Sequence, residues 1–486
     1  MQLSEVIARF TVEKGFEELP KVALEQAKMG VLDWIAAALA ALKEEHDVKA
    51  MLGFIQELGK DSKCTVLGCP KKTTPSLAAF ANGYIGHLLD YDETCPIIRS
   101  HLSAGILPAI LAVAEKLEAS GKDLLLGFVL GHEVALRIGE VMTPGWMRKG
   151  WHGTSLFGVF GATVGCGKLL GLNAEQVQNA IGIAASMASG IAANFGTMTK
   201  PLHAGLAARG GVEAAMLAKR GFSAAKNALD GSSGFYYAYG WGENLNLDPI
   251  KRLGKPLGLE TPGVLCPKFY PCCHGLAINI EYGILIKKKY QFSIEDIEEI
   301  EIHSQPKTLS AMLSKDYADT KEPITWGYEG PPRQITPSIP RTGKEAKFSK
   351  EYAFARALLN GHVTLSHFTD QAVAEPDVQE LMKKIKVFHN SDLEKISNQY
   401  PEEQYPHPER MIIKLRNGNV IEEEETFIQG GTRRPLSMEH IKRKFLDCTS
   451  EVGIAPQKSS QIIVMVEELE NIGNISQLTK LLENPF

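Results

Sequence analysis

Four short segments gather polar residues that an ordinary protein core would not collect. The first is Asp90-Tyr91-Asp92-Glu93-Thr94, followed by Arg99-Ser100-His101. Three carboxylates and a histidine within twelve residues could supply a base and its orienting partner. A solvated helix end is the plainer reading of such an acidic run. The second is Gly150-Trp151-His152-Gly153-Thr154-Ser155, which opens a nearly chargeless helical pattern. A helix N-terminus disfavours imidazolium, so His152 would be neutral and able to take or give a proton. A simple polar cap is the alternative. The third is Thr197-Met198-Thr199-Lys200-Pro201-Leu202-His203. A lysine at a helix start, beside free backbone N–H groups, makes a cradle for a carboxylate or phosphate. Lys200 is the one Lys or Arg between Lys168 and Arg209, and burying it would require an anion. A surface lysine is the competing reading. The fourth is Lys268-Phe269-Tyr270-Pro271-Cys272-Cys273-His274. A cysteine near a histidine raises the question of a thiolate nucleophile. Adjacent side chains rarely face each other, however, and buried small hydrophobes are the simpler account of these cysteines.

These segments lie on or beside helices. Lys21–Leu42, Thr73–Leu89, Leu107–Leu117, Leu124–Ile138, Ser155–Leu170 and Pro201–Arg220 all read as helical. Residues 151–250 hold only 11 charged residues, so most faces there must be buried; residues 381–450 hold 23 and belong to a more exposed unit. Strand signals come late. Ile297–His303 alternates apolar and polar residues, and Asn417-Gly418 splits Met411–Thr426 into two alternating runs, a strong hairpin signature. The fourth segment falls where the helical part meets this mixed part, and ligands commonly bind at such junctions. The expected fold is therefore mainly α. A helical domain spans 1–265, a smaller α+β domain spans 266–429, and C-terminal helices in 430–486 return to the first domain. Ile181–Met198 reads as a buried, small-residue helix, and Phe354–Phe368 as one helical run that places His362 and His367 on different faces. Tyr317–Lys350, rich in Pro and Gly, reads as a long functional loop.

Composition narrows the class. The chain has 486 residues, 44% hydrophobic and 22% charged, which excludes a disordered tail protein. A net charge of -5 without a basic tract argues against nucleic acid. Glu5, Arg9, Glu13 and Lys14 interrupt any N-terminal apolar run, and the eight cysteines form no CxxC or zinc-finger spacing. A cytoplasmic protein with reduced thiols is expected, with no membrane partner. HExxH, P-loop and dinucleotide-binding signatures are missing.

The same four segments resemble the MmgE/PrpD family. Asp90-Tyr-Asp-Glu-Thr94 with His101 looks like its Asp-Phe-Asp-Asp-Thr motif and downstream histidine. Trp151-His-Gly-Thr-Ser155, Thr199-Lys-Pro-Leu-His203 and Lys268-Phe-Tyr-Pro271 resemble three more of its motifs, and Arg434-Pro-Leu-Ser437 a fifth. Its histidine after the Tyr-Pro motif usually sits where this chain has Leu276 and Ala277; either His274 replaces it or that role is missing. The resemblance implies a large helical domain with an α+β lid, a homodimer, and a cofactor-independent lyase acting on a small polycarboxylate in the cleft between domains. It implies catalytic roles for Asp90, Thr94, His101, His152, Lys200 and His274. Arg99, Lys200, His203 and Lys268 would bind substrate, with no metal. β-Elimination of the 2-methylcitrate dehydratase type is the first expectation. Decarboxylation of the cis-aconitate type, epimerisation of a dicarboxylate, and a non-catalytic carboxylate-binding protein are the alternatives.

Overall fold

The computed structural model describes residues 2–58, 62–142, 146, 149–240, 245–305, 331–335, 339–400 and 407–485. Half of the expected Tyr317–Lys350 loop lies outside the described residues. The chain forms two compact units. The first takes 1–194, 198–267 and 436–486; the second takes 195–197 and 268–435. Among the described residues no helix is long and apolar enough to cross a membrane.

The first unit is built on packed helices: Lys21–Ala41, Pro75–His87, Leu102–Leu117, Gly121–Met142, Gly153–Leu169, Ala174–Met187 and Thr199–Lys219. Its helix starts follow ordinary rules. Thr74 caps Pro75–His87, with Pro at the first position, and Asn173 with Gln176 forms a capping box. Ile181–Met198 does not form one helix. The helix ends at Met187, Gly190 turns through φ 97°, and a 3-10 turn spans Ala192–Asn194. The unit also carries a short antiparallel pair, β1 (Cys64–Val66) and β2 (Cys69–Thr73), which helical periodicity does not reveal.

Glycine sets a close helix crossing beside the site. A methyl group at Gly205 would come 2.5 Å from the Phe80 carbonyl, and one at Gly83 would come 2.9 Å from the Gly205 Cα. These helices carry Lys200 and His87, so the crossing fixes how near those two side chains come. Gly205→Ala is expected to destabilise the protein by about 1–3 kcal/mol, the usual cost of overpacking, read as a lowered midpoint in chemical denaturation. A midpoint at or above that of the parent would remove this account of the crossing.

The second unit holds a five-stranded sheet in the order β4-β5-β3-β6-β7, with β3 Ile297–Ser304, β4 Arg333–Gln334, β5 Ile385–His389, β6 Glu409–Leu415 and β7 Val420–Glu425. β3 runs parallel to β5 and antiparallel to β6. The expected hairpin is β6–β7, turning through Gly418 at φ 86°. Ile300, Ile302, Ile385, Val387, Met411 and Ile413 form a core with helices Ala277–Lys289 and Lys350–Asn360. The other face is charged: Lys414 reaches Glu299 at 2.9 Å and also pairs Glu301. Helix Lys350–Asn360 stops at Gly361, which adopts φ 73°, so the run to Phe368 is broken. That break lets the His362 and His367 rings meet edge-on at 5.2 Å, where a continuous helix would separate them.

Candidate active site

Three helices begin at one place in the first unit. His101 is the N-cap of Leu102–Leu117, His152 the N-cap of Gly153–Leu169, and Lys200 the second residue of Thr199–Lys219. Neither histidine caps its own helix through its side chain. Glu93 serves the first helix instead, accepting from the Ser103 N–H at 2.7 Å. The two starts are tied together, since the His101 N–H donates to Thr154 Oγ1 at 3.1 Å. His152 is held by its own N–H donating to the Gly190 carbonyl at 2.9 Å. Gly190 is required there, because a side chain would press on Ser155 and the His203 ring. Both imidazoles are thus free to face inward.

The centre is Lys200, buried at 6% exposure. Its Nζ lies 2.8 Å from Asp90 Oδ1 and 3.3 Å from His87 Nε2. Burial of the lysine and its pairing with an anion are what the third segment required. His87 Nδ1 in turn meets both Asp92 oxygens, at 2.9 and 3.0 Å. Asp92 also lies 3.2 Å from His101 Nδ1. His101 Nε2 is 3.5 Å from Asp90 Oδ1. The His87 ring lies 4.5 Å from His101 and 6.0 Å from His152, centroid to centroid. His152 Nδ1 is 2.9 Å from His203 Nδ1.

Burial and neighbouring charge set the protonation states. Burial alone would push Asp92 up, but His87 and His101 outweigh it and hold the carboxyl well below its usual range. His87 is lowered to about 4, by burial first and by Lys200 and His101, against the pull of Asp92. His203 is also lowered to about 4, by burial and Lys200. Burial, Lys200 and the neighbouring histidines press His152 well below the imidazole range. At neutral pH these three rings are uncharged. With Asp92 ionised, His87 Nδ1–H donates to it and His87 Nε2 accepts from the Lys200 ammonium.

His87, Asp90, Asp92 and His101 each present a ligand atom within 4.8 Å of the others, a spacing that could hold a small cation. Two of the four already contact the Lys200 ammonium, which competes for the same donors.

The loop carrying these groups is strained and pinned. Asp90 (φ 54°) and Arg99 (φ 44°) both adopt left-handed backbone, uncommon outside glycine. Thr94 pairs by backbone with Cys266, at 2.9 and 2.8 Å, and its hydroxyl donates to the same carbonyl at 3.3 Å. From behind, buried Lys444 donates to the Tyr91 carbonyl at 2.6 Å and to Asp33 Oδ1 at 2.7 Å. Asp90, His101, His152, Lys200 and His203 are therefore gathered in one cluster, with Thr94 and Arg99 in its supporting loop. Lys268 and His274 belong to the second unit, where Cys272 is buried as a small hydrophobe. Sequence reasoning missed His87 as a site residue and left Asp92 inside an acidic run. The usable signal was His87 itself, the one histidine in a helix without Asp, Glu, Lys or Arg, three residues before Asp90.

Comparison with known proteins places this geometry in context. The MmgE/PrpD N-terminal domain matches residues 5–248 and the MmgE/PrpD C-terminal domain matches 270–471. The chain is 30% identical to cis-aconitate decarboxylase of Mus musculus over 87% of this chain and 82% of that protein. It is 28% identical to cis-aconitate decarboxylase of Homo sapiens, over 95% and 90%. To a mitochondrial 2-methylcitrate dehydratase of Yarrowia lipolytica it is 23% identical, over 92% and 85%.

Proposed function

Since this chain belongs to the MmgE/PrpD family, we propose that it is a lyase that decarboxylates a small tricarboxylate of the cis-aconitate kind. The observation that carries this reading is the meeting of three helix N-termini on one buried lysine–histidine cluster. Free N–H groups and positive dipole ends attract carboxylates, and the Lys200 ammonium adds a charged donor. Loss of CO2 leaves an electron pair on the carbon skeleton, delocalised into a neighbouring carboxylate. Donors fixed in advance at that carboxylate lower the barrier. The carbon then needs a proton, and His152 or His101 is placed to give it. His152 is neutral until a polyanion arrives; negative charge beside a buried imidazole favours its cationic form.

Sequence reading put elimination of water first. Decarboxylation now ranks ahead because it asks less of this cluster, one proton donor and an anchored carboxylate. It is also the activity carried by the relatives at 30% and 28% identity. The hydro-lyase reading is favoured by the relative from Yarrowia lipolytica, and Asp90 or His101 would then protonate the leaving hydroxyl. Asp90, Thr94, His101, His152, Lys200 and His274 remain the proposed catalytic residues, and Arg99, Lys200, His203 and Lys268 the proposed substrate-binding residues. A homodimer is proposed with them.

Proton NMR in D2O with cis-aconitate and 2-methylcitrate, offered separately, tests the reading. Itaconate signals from cis-aconitate are expected. New alkene signals from 2-methylcitrate alone would transfer the assignment to dehydration.

A further inference from the structure

His203 lies on Thr199–Lys219, one turn beyond Lys200, and is buried. Its Nδ1 stands 2.9 Å from His152 Nδ1, with ring centroids 5.2 Å apart. Two neutral imidazoles can make that bond in two ways, because either Nδ1 can carry the single proton. The choice dictates what His152 presents at its other nitrogen. If His152 holds the Nδ1 proton, its Nε2 is a base; if His203 holds it, His152 Nε2–H is an acid.

We propose that His152 and His203 form one acid–base unit joined by a shared Nδ1 proton, with His203 the positioning residue that stores the charge His152 exchanges with substrate. This rests on the reading of His152 as a proton donor given above. A bound tricarboxylate draws one proton from water onto the otherwise neutral pair, so in the decarboxylating direction the unit begins with one positive charge. His203 carries protons on both nitrogens, and His152 carries one on Nε2. The substrate C–C bond breaks, CO2 leaves, and the electron pair stays on carbon. That carbon takes the Nε2 proton of His152, while the Nδ1 proton of His203 crosses to His152 Nδ1. Both rings end neutral, the hydrogen bond has reversed its sense, and one proton from water restores the starting state.

Of the two rings, His203 takes that charge more readily. Burial, Lys200, His87 and His101 oppose a cation on His152, whereas burial and Lys200 oppose one on His203. A cation on His203 thus leaves His152 neutral beside the substrate, ready to work in either direction.

The test reads both rings directly. Protein labelled with 15N-histidine, assigned through His152→Asn and His203→Asn, is titrated to lower pH with and without tricarballylate, a saturated tricarboxylate. Acidification should place protons on both His203 nitrogens and move the His152 proton from Nδ1 to Nε2. A His152 tautomer that stays fixed while His203 titrates would overturn the proposal. The kinetic arm uses His203→Asn, which keeps a hydrogen-bonding group toward His152 but cannot accept a proton. Its kcat should fall about 100-fold, as loss of a proton-transfer group does, with KM changed less than about threefold. Retention of kcat within about threefold overturns the relay. If the tautomers switch as stated but no tricarboxylate is consumed, the substrate reading fails and the shared proton stands. If turnover is found and His203→Asn keeps it, the relay alone fails.

Discussion

Lys200→Ala is expected to lower kcat/KM on the substrate by about 10³-fold or more while the protein stays folded. The lysine is the hub of the cluster, joining Asp90 at 2.8 Å and His87 at 3.3 Å. Charge-assisted bonds of this kind are roughly twice as strong as neutral ones, and removal of one preorganised donor typically costs 10²–10³-fold in rate. The variant loses more than one donor. Asp90 loses its lysine partner, so an incoming polyanion meets a buried carboxylate that is no longer neutralised by that ammonium. Lys200→Arg should not rescue it, because a planar guanidinium cannot occupy the compact pocket between His87 and Asp90. Steady-state kinetics with a thermal melt of the same sample decide the matter. An effect below about tenfold in a folded variant would remove Lys200 from the centre of the mechanism. The assay should include a chelator, since the four ligand atoms of His87, Asp90, Asp92 and His101 would be open to a divalent ion.

Lys444→Met should cost about 3–5 kcal/mol of stability at alkaline pH, the usual penalty for stranding one partner of a buried pair. Lys444 Nζ sits 2.7 Å from Asp33, 2.6 Å from the Tyr91 carbonyl and 3.8 Å above the Tyr91 ring. Asp33 has no exposed surface, and its Oδ2 lacks a hydrogen-bond donor. Burial raises its pKa to about 6, Lys444 opposes the rise, and Glu93 and Asp92 add to it. The sign follows from linkage. An acid whose folded pKa lies above its unfolded value near 3.8 contributes stability below that unfolded value, and the contribution fades as pH climbs through about 6. Without Lys444 the folded pKa rises further, so the deficit should be largest above neutral pH and shrink as Asp33 takes up a proton. Asp33→Asn combined with Lys444→Met should recover most of the loss. Denaturant titrations at several pH values check this, and a small, pH-independent deficit would contradict it. Because Lys444 also holds Tyr91, the single variant should lose activity even where it remains folded.

The helical frame was legible in the sequence because helix periodicity and capping are local. Pro75–His87 and Thr199–Lys219 fall within two residues of their expected limits. Lys200 and His152 were legible because a charged or titratable group at a helix start is unusual in a chargeless stretch, and His101 because it follows three carboxylates within twelve residues. Other features depended on distant contacts. Asp92 reads as solvated in an acidic run, yet it has no exposed surface, because His87 and His101 close over it. Glu93 reads as another acid or base, but its carboxylate is taken up by the Ser103 N–H. His87 gained its meaning only from Lys200, 113 residues away. β5 escaped notice because it is five residues long and pairs in parallel with a strand more than eighty residues earlier.

The first unit is discontinuous, and this governs how the chain comes off the ribosome. Asp33 waits for Lys444, the Gly121 N–H for the Ile472 carbonyl, and the Gly68 N–H for the Leu482 carbonyl. Every residue of the second unit beyond Lys268 is synthesised before these bonds can close. Nascent helices that bear the lysine–histidine cluster must therefore stand partly assembled, apolar faces open, while the intervening sheet is made. Contacts of such sequence separation form slowly, and exposed apolar surface in that interval invites aggregation or chaperone capture. Separating residues 436–486 genetically and supplying them as a second polypeptide would turn this delay into a switch, with activity appearing only when the two pieces meet.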